Sequence, residues 1–381
     1  MLKTDIKTSS LKTDIRTSSL FAAISYVGIN LLFVAKYALR VSIQLWPLIP
    51  FAALLYLLLF LLLPRLLAHH RTHKPLFMAL CTVGLALLVL QSALDPYSLQ
   101  VDRWSALHFP IQNLLHGQYP YMAQTHLGGY ASPFPIWQLF HLPFYLLGNV
   151  GLSAFLVMAF FFWTIHRRYG FTAMLQAMTF TLCSVAVAYE IIVRSDLITN
   201  LFLLAGCINL LYPYLSHTYL QRHYGIIAVS AALFTCTRLS VLLPIAILLL
   251  PPFLKIGIKR QAAMLVVYVA TLVASFLWVA LWDVELFFHF EYNPWTLQTR
   301  QGHLVDFLLF VPLFLYLTLW HRGSEPRYLS AVTLMLLTFV IVTFIHNMVL
   351  EGNYNLFSPA FDITYLSQVL PFCLLLMCRA K

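Results

Sequence analysis

The chain has 381 residues, of which 61% are hydrophobic and only 9% charged, with a mean hydropathy of +0.82; soluble globular domains do not have this composition. Repeated apolar runs of about 18 or more residues read as transmembrane helices, whereas a β-barrel would show alternating segments of about ten residues. The net charge of +10 does not point to nucleic acid. Its basic residues fall in short clusters between apolar runs, at 65–74, 167–168, 255–260, 322–327 and 379–381, with no basic face interleaved with aromatics.

The chain opens on a tandem nonapeptide repeat, Leu2–Ser10 and Leu11–Ser19. Two copies are too few for a solenoid, so residues 1–19 read as a basic cytoplasmic tail. No small-residue cleavage site follows, and the first apolar run is expected to be retained. Residues 20–381 then read as a single all-α, polytopic membrane domain of about 10–13 spans or half-spans. Ten spans are predicted, at 20–35, 43–63, 76–94, 149–166, 171–189, 197–215, 261–282, 303–320, 328–348 and 362–378. Two regions are irregular. Residues 133–148 are broken by Pro133, Pro135 and Pro143, and residues 225–254 read as two short helices meeting near Arg238. Broken helices at membrane depth survive only where they are buried in protein or line a cavity, so both regions point to a site.

With both termini inside, the basic clusters fall on the cytoplasmic side. Of the 13 carboxylates, Asp5, Asp14 and Glu325 lie inside and the other ten at outer loops or outer span ends. The outer face is therefore the expected working face. Its longest loop, 95–148, carries Asp95 and Asp102 early, with Arg103, Trp104 and His108 beside them. A carboxylate at a membrane boundary can act as a general base or hold a divalent cation such as Mg or Mn. His108, His116 and His126 match no compact metal-ligand spacing and read as hydrogen-bonding side chains. Trp104, Tyr119, Tyr121, Tyr130 and Trp137 fit an interfacial aromatic belt and would also suit stacking on a sugar.

A second outer cluster holds Glu190, Arg194 and Asp196, of which the last two could neutralise each other. Arg238 lies in apolar sequence, where an arginine costs several kcal/mol unless it is paired or faces a polar cavity. Its fork of donors suits a phosphate. The loop 283–303 adds Trp295, Arg300 and His303 without a specific motif. The six cysteines form no C-x-x-C pair and read as free buried thiols. P-loop, G-x-G-x-x-G, G-x-S-x-G and H-E-x-x-H motifs are absent.

In order and approximate spacing, three features stand out. They are Asp102, the run Leu114-Leu115-His116-Gly117-Gln118-Tyr119-Pro120-Tyr121, and the run Tyr130-Ala131-Ser132-Pro133-Phe134-Pro135. Together they resemble the GT-C-type integral membrane glycosyltransferases, particularly the polyprenyl-phosphate-sugar-dependent, mannosyltransferase-like branch. In that superfamily an outer acid, an L-L-x-G-x-x-P-Y helix end and a Y-x-(S/T/P)-P-L stretch recur, and Arg238 before Pro244 resembles a later basic residue. The resemblance is strongest over 95–148. It departs at Phe134-Pro135, where Pro-Leu is usual, and in lacking a tight D-x-D.

The resemblance implies a hexose, mannose-like, carried from a polyprenyl-phosphate donor to a lipid, glycan or protein acceptor, with inversion. Asp102 is then the expected base, with Asp95 as second choice or cation holder; no other cofactor is implied. Arg238 and Arg194 are expected at the donor phosphate, and Arg103, His108, Tyr121, Tyr130, Asp196 and Arg300 near the substrates. The expected location is a bacterial inner membrane with the active face periplasmic. The rivals are a transporter or flippase of lipid-linked saccharide, a polysaccharide polymerase or ligase, and a noncatalytic scaffold.

Overall fold

The computed structural model describes residues 2–40, 42–321, 323–358 and 362–379, with side chains described from residue 15 onward. The described residues are helical and contain no strand, only an isolated bridge between Gln124 and Tyr130. The repeat is helical and continuous with the first span, because α1 runs unbroken from Leu2 to Arg40. The repeat's side chains through residue 14 lie outside the described residues. After α1 come α2 (Leu45–Leu67), α3 (His70–Ala93), α4 (Ser105–Leu115), α5 (Pro135–Leu146) and α6 (Leu152–Tyr169). Next are α7 (Phe171–Leu182), α8 (Val185–Ile192), α9 (Thr199–Leu211), α10 (His217–Thr235), α11 (Leu242–Phe253) and α12 (Ile258–Trp282). Short α13 (Val284–Phe288) and α14 (Pro294–Thr299) precede α15 (Phe307–Trp320), α16 (Glu325–Glu351) and α17 (Leu370–Met377).

Among the described residues, five helices are long and apolar enough to cross a membrane: α1 from Ile15, α2, α3, α12 and α16. A sixth span is reached if α7 and α8, bent by 69° at their junction, count as one. Of the other predicted spans, α9 has 13 residues and α15 has 14, short of the about 20 of an ordinary crossing, while α6 keeps 18 residues but ends on His166, Arg167 and Arg168. The run at 362–378 becomes a 3-10 turn, Ile363–Val369, leading into α17.

α17 explains why a short apolar helix is tolerated. Its residues are apolar on every side, and Leu370, Phe372, Cys373, Leu374 and Leu375 are wholly buried, so it is a core helix rather than one facing lipid. Around it pack α1, α7, α9 and α16. Beside α9, α6 approaches closely because Gly206 has no side chain; a Cβ there would lie 2.7 Å from Phe160.

Both interruptions have local causes. The one near Arg238 is expected from sequence, whereas the α7–α8 bend is not, because 171–189 reads there as one unbroken span. At the α7–α8 bend the backbone groups freed by unwinding are taken up by neighbours. Tyr56 Oη donates to Cys183 O at 3.2 Å and accepts from Val185 N at 3.3 Å, while Asn30 Oδ1 accepts from Ser184 Oγ at 2.7 Å and Ala186 N at 3.1 Å. The α10–α11 break falls at Cys236–Arg238, where Thr237 O accepts from Phe134 N at 3.1 Å. The loop from Asp95 to Gly148 is thereby tied to the α10–α11 junction.

Glycine sets the ends of the two loop helices. Gly117 (φ +71) follows α4, with Gln118 N donating to Asn113 O at 2.8 Å and Gly117 N to Leu114 O at 3.3 Å. Gly148 (φ +84) follows α5 with the same pair of bonds, Asn149 N to Phe144 O and Gly148 N to Tyr145 O. These are left-handed helix stops that only glycine adopts cheaply. The glycine of the G-x-x-P-Y run thus has a backbone role. It turns the chain so that Tyr121, wholly buried, can donate from its hydroxyl to Pro133 O at 2.9 Å.

Candidate functional site

The buried charges gather where α1, α8, the α10–α11 break and the start of the 363–377 helix meet the 95–148 loop. Arg103, just before α4, donates from Nη1 to Glu190 Oε2 at 2.9 Å and to Ser195 Oγ at 3.2 Å. Its Nη2 reaches Asp362 and Thr364, and its guanidinium lies 5.5 Å over the ring of Tyr365. Lys36, near the end of α1, adds a second cation to Asp362 at 3.5 Å. Burial works against charge on both partners, yet the mutual attraction wins. Glu190 and Asp362 raise the Arg103 pKa, and Arg103 with Lys36 holds Asp362 well below the usual carboxylate range.

The second pair is Arg238 with Asp196. Nε donates to Oδ2 and Nη2 to Oδ1, each at 2.8 Å, and Trp137 Nε1 donates to Oδ2 at 2.9 Å. Parallel bonds of this kind are the strong form of the arginine–carboxylate contact. Asp196 is 1% and Arg238 6% exposed, so neither charge would be tolerated alone. Tyr365 lies within electrostatic reach of both pairs and joins them into one network. Its three cations, Lys36, Arg103 and Arg238, balance three carboxylates, Glu190, Asp196 and Asp362.

Beside this neutral network, Asp102 stands apart. Thr125 Oγ1 donates to its Oδ2 at 3.0 Å, and Thr125 is fixed in turn by Gly129 N, which donates to the same Oγ1 at 3.0 Å. Oδ1 has no hydrogen-bond partner among the described residues, and the side chain is half-buried. One oxygen is therefore held while the other is free to accept a proton. Gly129 allows this approach, since a Cβ there would lie 3.1 Å from Asp102 Oδ2.

The remaining expected residues separate. Asp95 is exposed, caps the turn at Tyr97 N at 3.0 Å and faces Arg194. One exposed carboxylate opposite an arginine does not fit a divalent cation, which needs several oxygen ligands. Among the described residues no three His, Cys, Asp or Glu side chains converge to hold a metal. Arg194 does not neutralise Asp196. It adopts φ +55 at the end of α8, and its Nη2 donates to Gln91 O at 2.8 Å and Leu94 O at 3.0 Å, which ties the end of α3 to the end of α8. Burial pushes the His108 pKa below its ordinary value, and the charge of Arg194 adds to this. Arg300 is exposed and has no hydrogen bond or ion pair among the described residues.

The expected aromatic belt is largely internal. Trp104, Tyr119, Tyr121 and Trp137 are all buried, because the loop folds back on α4 and α5 instead of lying along the membrane surface. Tyr130 alone of the five is half-exposed, edge-on to Tyr292 at 5.2 Å, and Tyr292 stacks on exposed His289 at 4.8 Å. His126 bridges Ser105 Oγ and Leu99 O at 2.8 Å each, so it holds the loop together.

Sequence reasoning missed Lys36, Thr125 and Tyr365. Lys36 had a readable signal, a cation at the end of an apolar run; Thr125 and Tyr365 had none, because their meaning depends on distant partners. No family model, curated protein or solved structure matches this chain.

Proposed function

We propose that this chain is a membrane glycosyltransferase of GT-C type. It would move a hexose, mannose-like, from a polyprenyl-phosphate donor to a lipid, glycan or protein acceptor at the periplasmic face of a bacterial inner membrane. The observation that carries this reading is Asp102, whose Oδ2 is fixed by Thr125 while Oδ1 is free, beside a charge network that is already neutral. A base needs a carboxylate oxygen that is open to the acceptor and held in a fixed orientation, and the Thr125 contact to Oδ2 supports this reading.

In the proposed reaction Asp102 takes the proton of the acceptor hydroxyl. The acceptor oxygen attacks the anomeric carbon from the face opposite the phosphate. The carbon–oxygen bond to phosphate breaks, inverting that centre and releasing polyprenyl phosphate. Developing charge on the leaving phosphate calls for fixed donors. Two nitrogens of Arg238 are committed to Asp196, leaving Nη1, whereas Arg300 is wholly uncommitted. Arg300 is thus the cation best suited to meet the donor phosphate first, with Arg238 a preorganised second contact. Tyr130 and Tyr292 offer the open aromatic surface for the sugar. Tyr121 and Trp137 serve this reading only by holding the loop and Asp196.

The test is transfer by the purified chain in vesicles supplied with polyprenyl-phosphate hexoses. Transfer that disappears in Asp102→Asn supports the proposal. Transfer that persists undiminished in that variant removes Asp102 as base. Absence of transfer together with saturable movement of lipid-linked sugar across the vesicle would favour a flippase.

A further inference from the structure

Away from the charge network, a groove of about 840 Å³ runs between α2, α3 and the α7–α8 bend. Leu55, Leu59 and Leu62 of α2 form one wall and Val185 and the exposed Cys183 the other, with Arg65 at one end. From Ala52 to Leu66 the groove follows α2 for about 21 Å at the rise of an α-helix. That is longer than one leaflet of the hydrocarbon core, roughly 15 Å.

α2 and α3 are joined by only two residues, yet few residues of either are buried, and the two helices pack sparsely against each other. In a bilayer the wedge between them cannot stay empty, because lining atoms without partners lose their dispersion contacts. Water does not fit either, since the walls are almost wholly apolar. An acyl chain fits both the length and the chemistry.

The basic end selects the headgroup. Arg65, Arg71 and Lys74 are all exposed, and among the described residues none of them has an ion pair. Glu325, the described carboxylate among the basic clusters, is already held by Arg168 and Arg379. The mouth of the groove therefore carries uncompensated positive charge. We propose that the groove binds one anionic phospholipid, its acyl chain along α2 and its phosphate on Arg65. This does not depend on the glycosyltransferase reading.

The full chain, purified and placed in nanodiscs of phosphatidylglycerol or of phosphatidylcholine with the same chains, tests it by native mass spectrometry of retained lipid. We expect one retained phosphatidylglycerol per chain, with its preference over phosphatidylcholine falling about fivefold in Arg65→Gln, as for loss of one basic contact at a lipid surface. Leu59→Trp, which fills the groove, should abolish retention of either lipid. In a Cys81→Ser background, maleimide should label Cys183 more slowly in phosphatidylglycerol than in phosphatidylcholine. Equal preference in wild type and Arg65→Gln overturns the proposal. So does retention that is lost in Arg65→Gln but unchanged in Leu59→Trp, which would mean a surface contact without the groove.

Discussion

The two ends of the 363–377 helix carry two ionic clusters, and they are built differently. At its C-terminal end, Glu325 at the start of α16 takes Arg168 from α6 and Arg379 from beyond α17, with Tyr169 against both arginines. Two cations share one carboxylate there, and Asn209 adds an acceptor for Arg168 at 3.0 Å. At the N-terminal end, roughly 25 Å away by helical rise, Arg103, Lys36 and Arg238 meet three carboxylates. The first cluster closes a helix junction, with both oxygens of Glu325 taken up by the two arginines. The second is charge-balanced and has Asp102 next to it with an oxygen left over. A structural clamp leaves no acceptor free, whereas a site needs a positioned group that its own scaffold does not consume.

Several experiments would break or sharpen that contrast. The largest effect is expected at Asp102. Asp102→Asn should lower sugar transfer by about 10²–10⁴, the range of a lost general base, while the melting temperature stays within a few degrees. A large fall in melting temperature would place Asp102 among the clamps instead. Next comes Asp196→Asn, which leaves Arg238 buried with a poor partner and should cost about 3–5 kcal/mol, read from denaturation in detergent. At the other end, Glu325→Gln should cost less, about 1.5–3 kcal/mol, with transfer unchanged at permissive temperature. Equal losses for these two variants would erase the distinction in burial.

A smaller effect concerns pH. His108 has a folded pKa below its ordinary value, so the unfolded chain binds the proton first as pH falls. Its contribution to stability should be complete above about pH 6.5, decline as pH drops toward the folded pKa, and level off below it. His108→Gln should flatten that part of a melting-temperature profile; an unchanged slope would show that other groups set it. The smallest change is Gly129→Ala, whose new methyl would press on Asp102 Oδ2 at 3.1 Å. It should lower kcat more than it raises KM; an unchanged kcat would show that the approach of Gly129 does not position Asp102.

Sequence alone determined the features that depend on local chemistry. The apolar runs dictate a helical membrane protein, because backbone polar groups in lipid must be satisfied within the segment. Arg238 in apolar sequence marks the α10–α11 break, and Gly117 and Gly148 stop α4 and α5 by their left-handed backbone. Tertiary structure alone decided what the charged and aromatic side chains do. Arg103 meets a carboxylate 259 residues away and Lys36 one 326 residues away, separations at which periodicity and spacing carry no information. The same holds for Arg238, whose need for a partner is readable locally while its choice of Asp196 is not. Apolar runs that looked like further spans became a core helix and short packed pieces, because hydropathy registers burial and cannot distinguish burial in lipid from burial in protein.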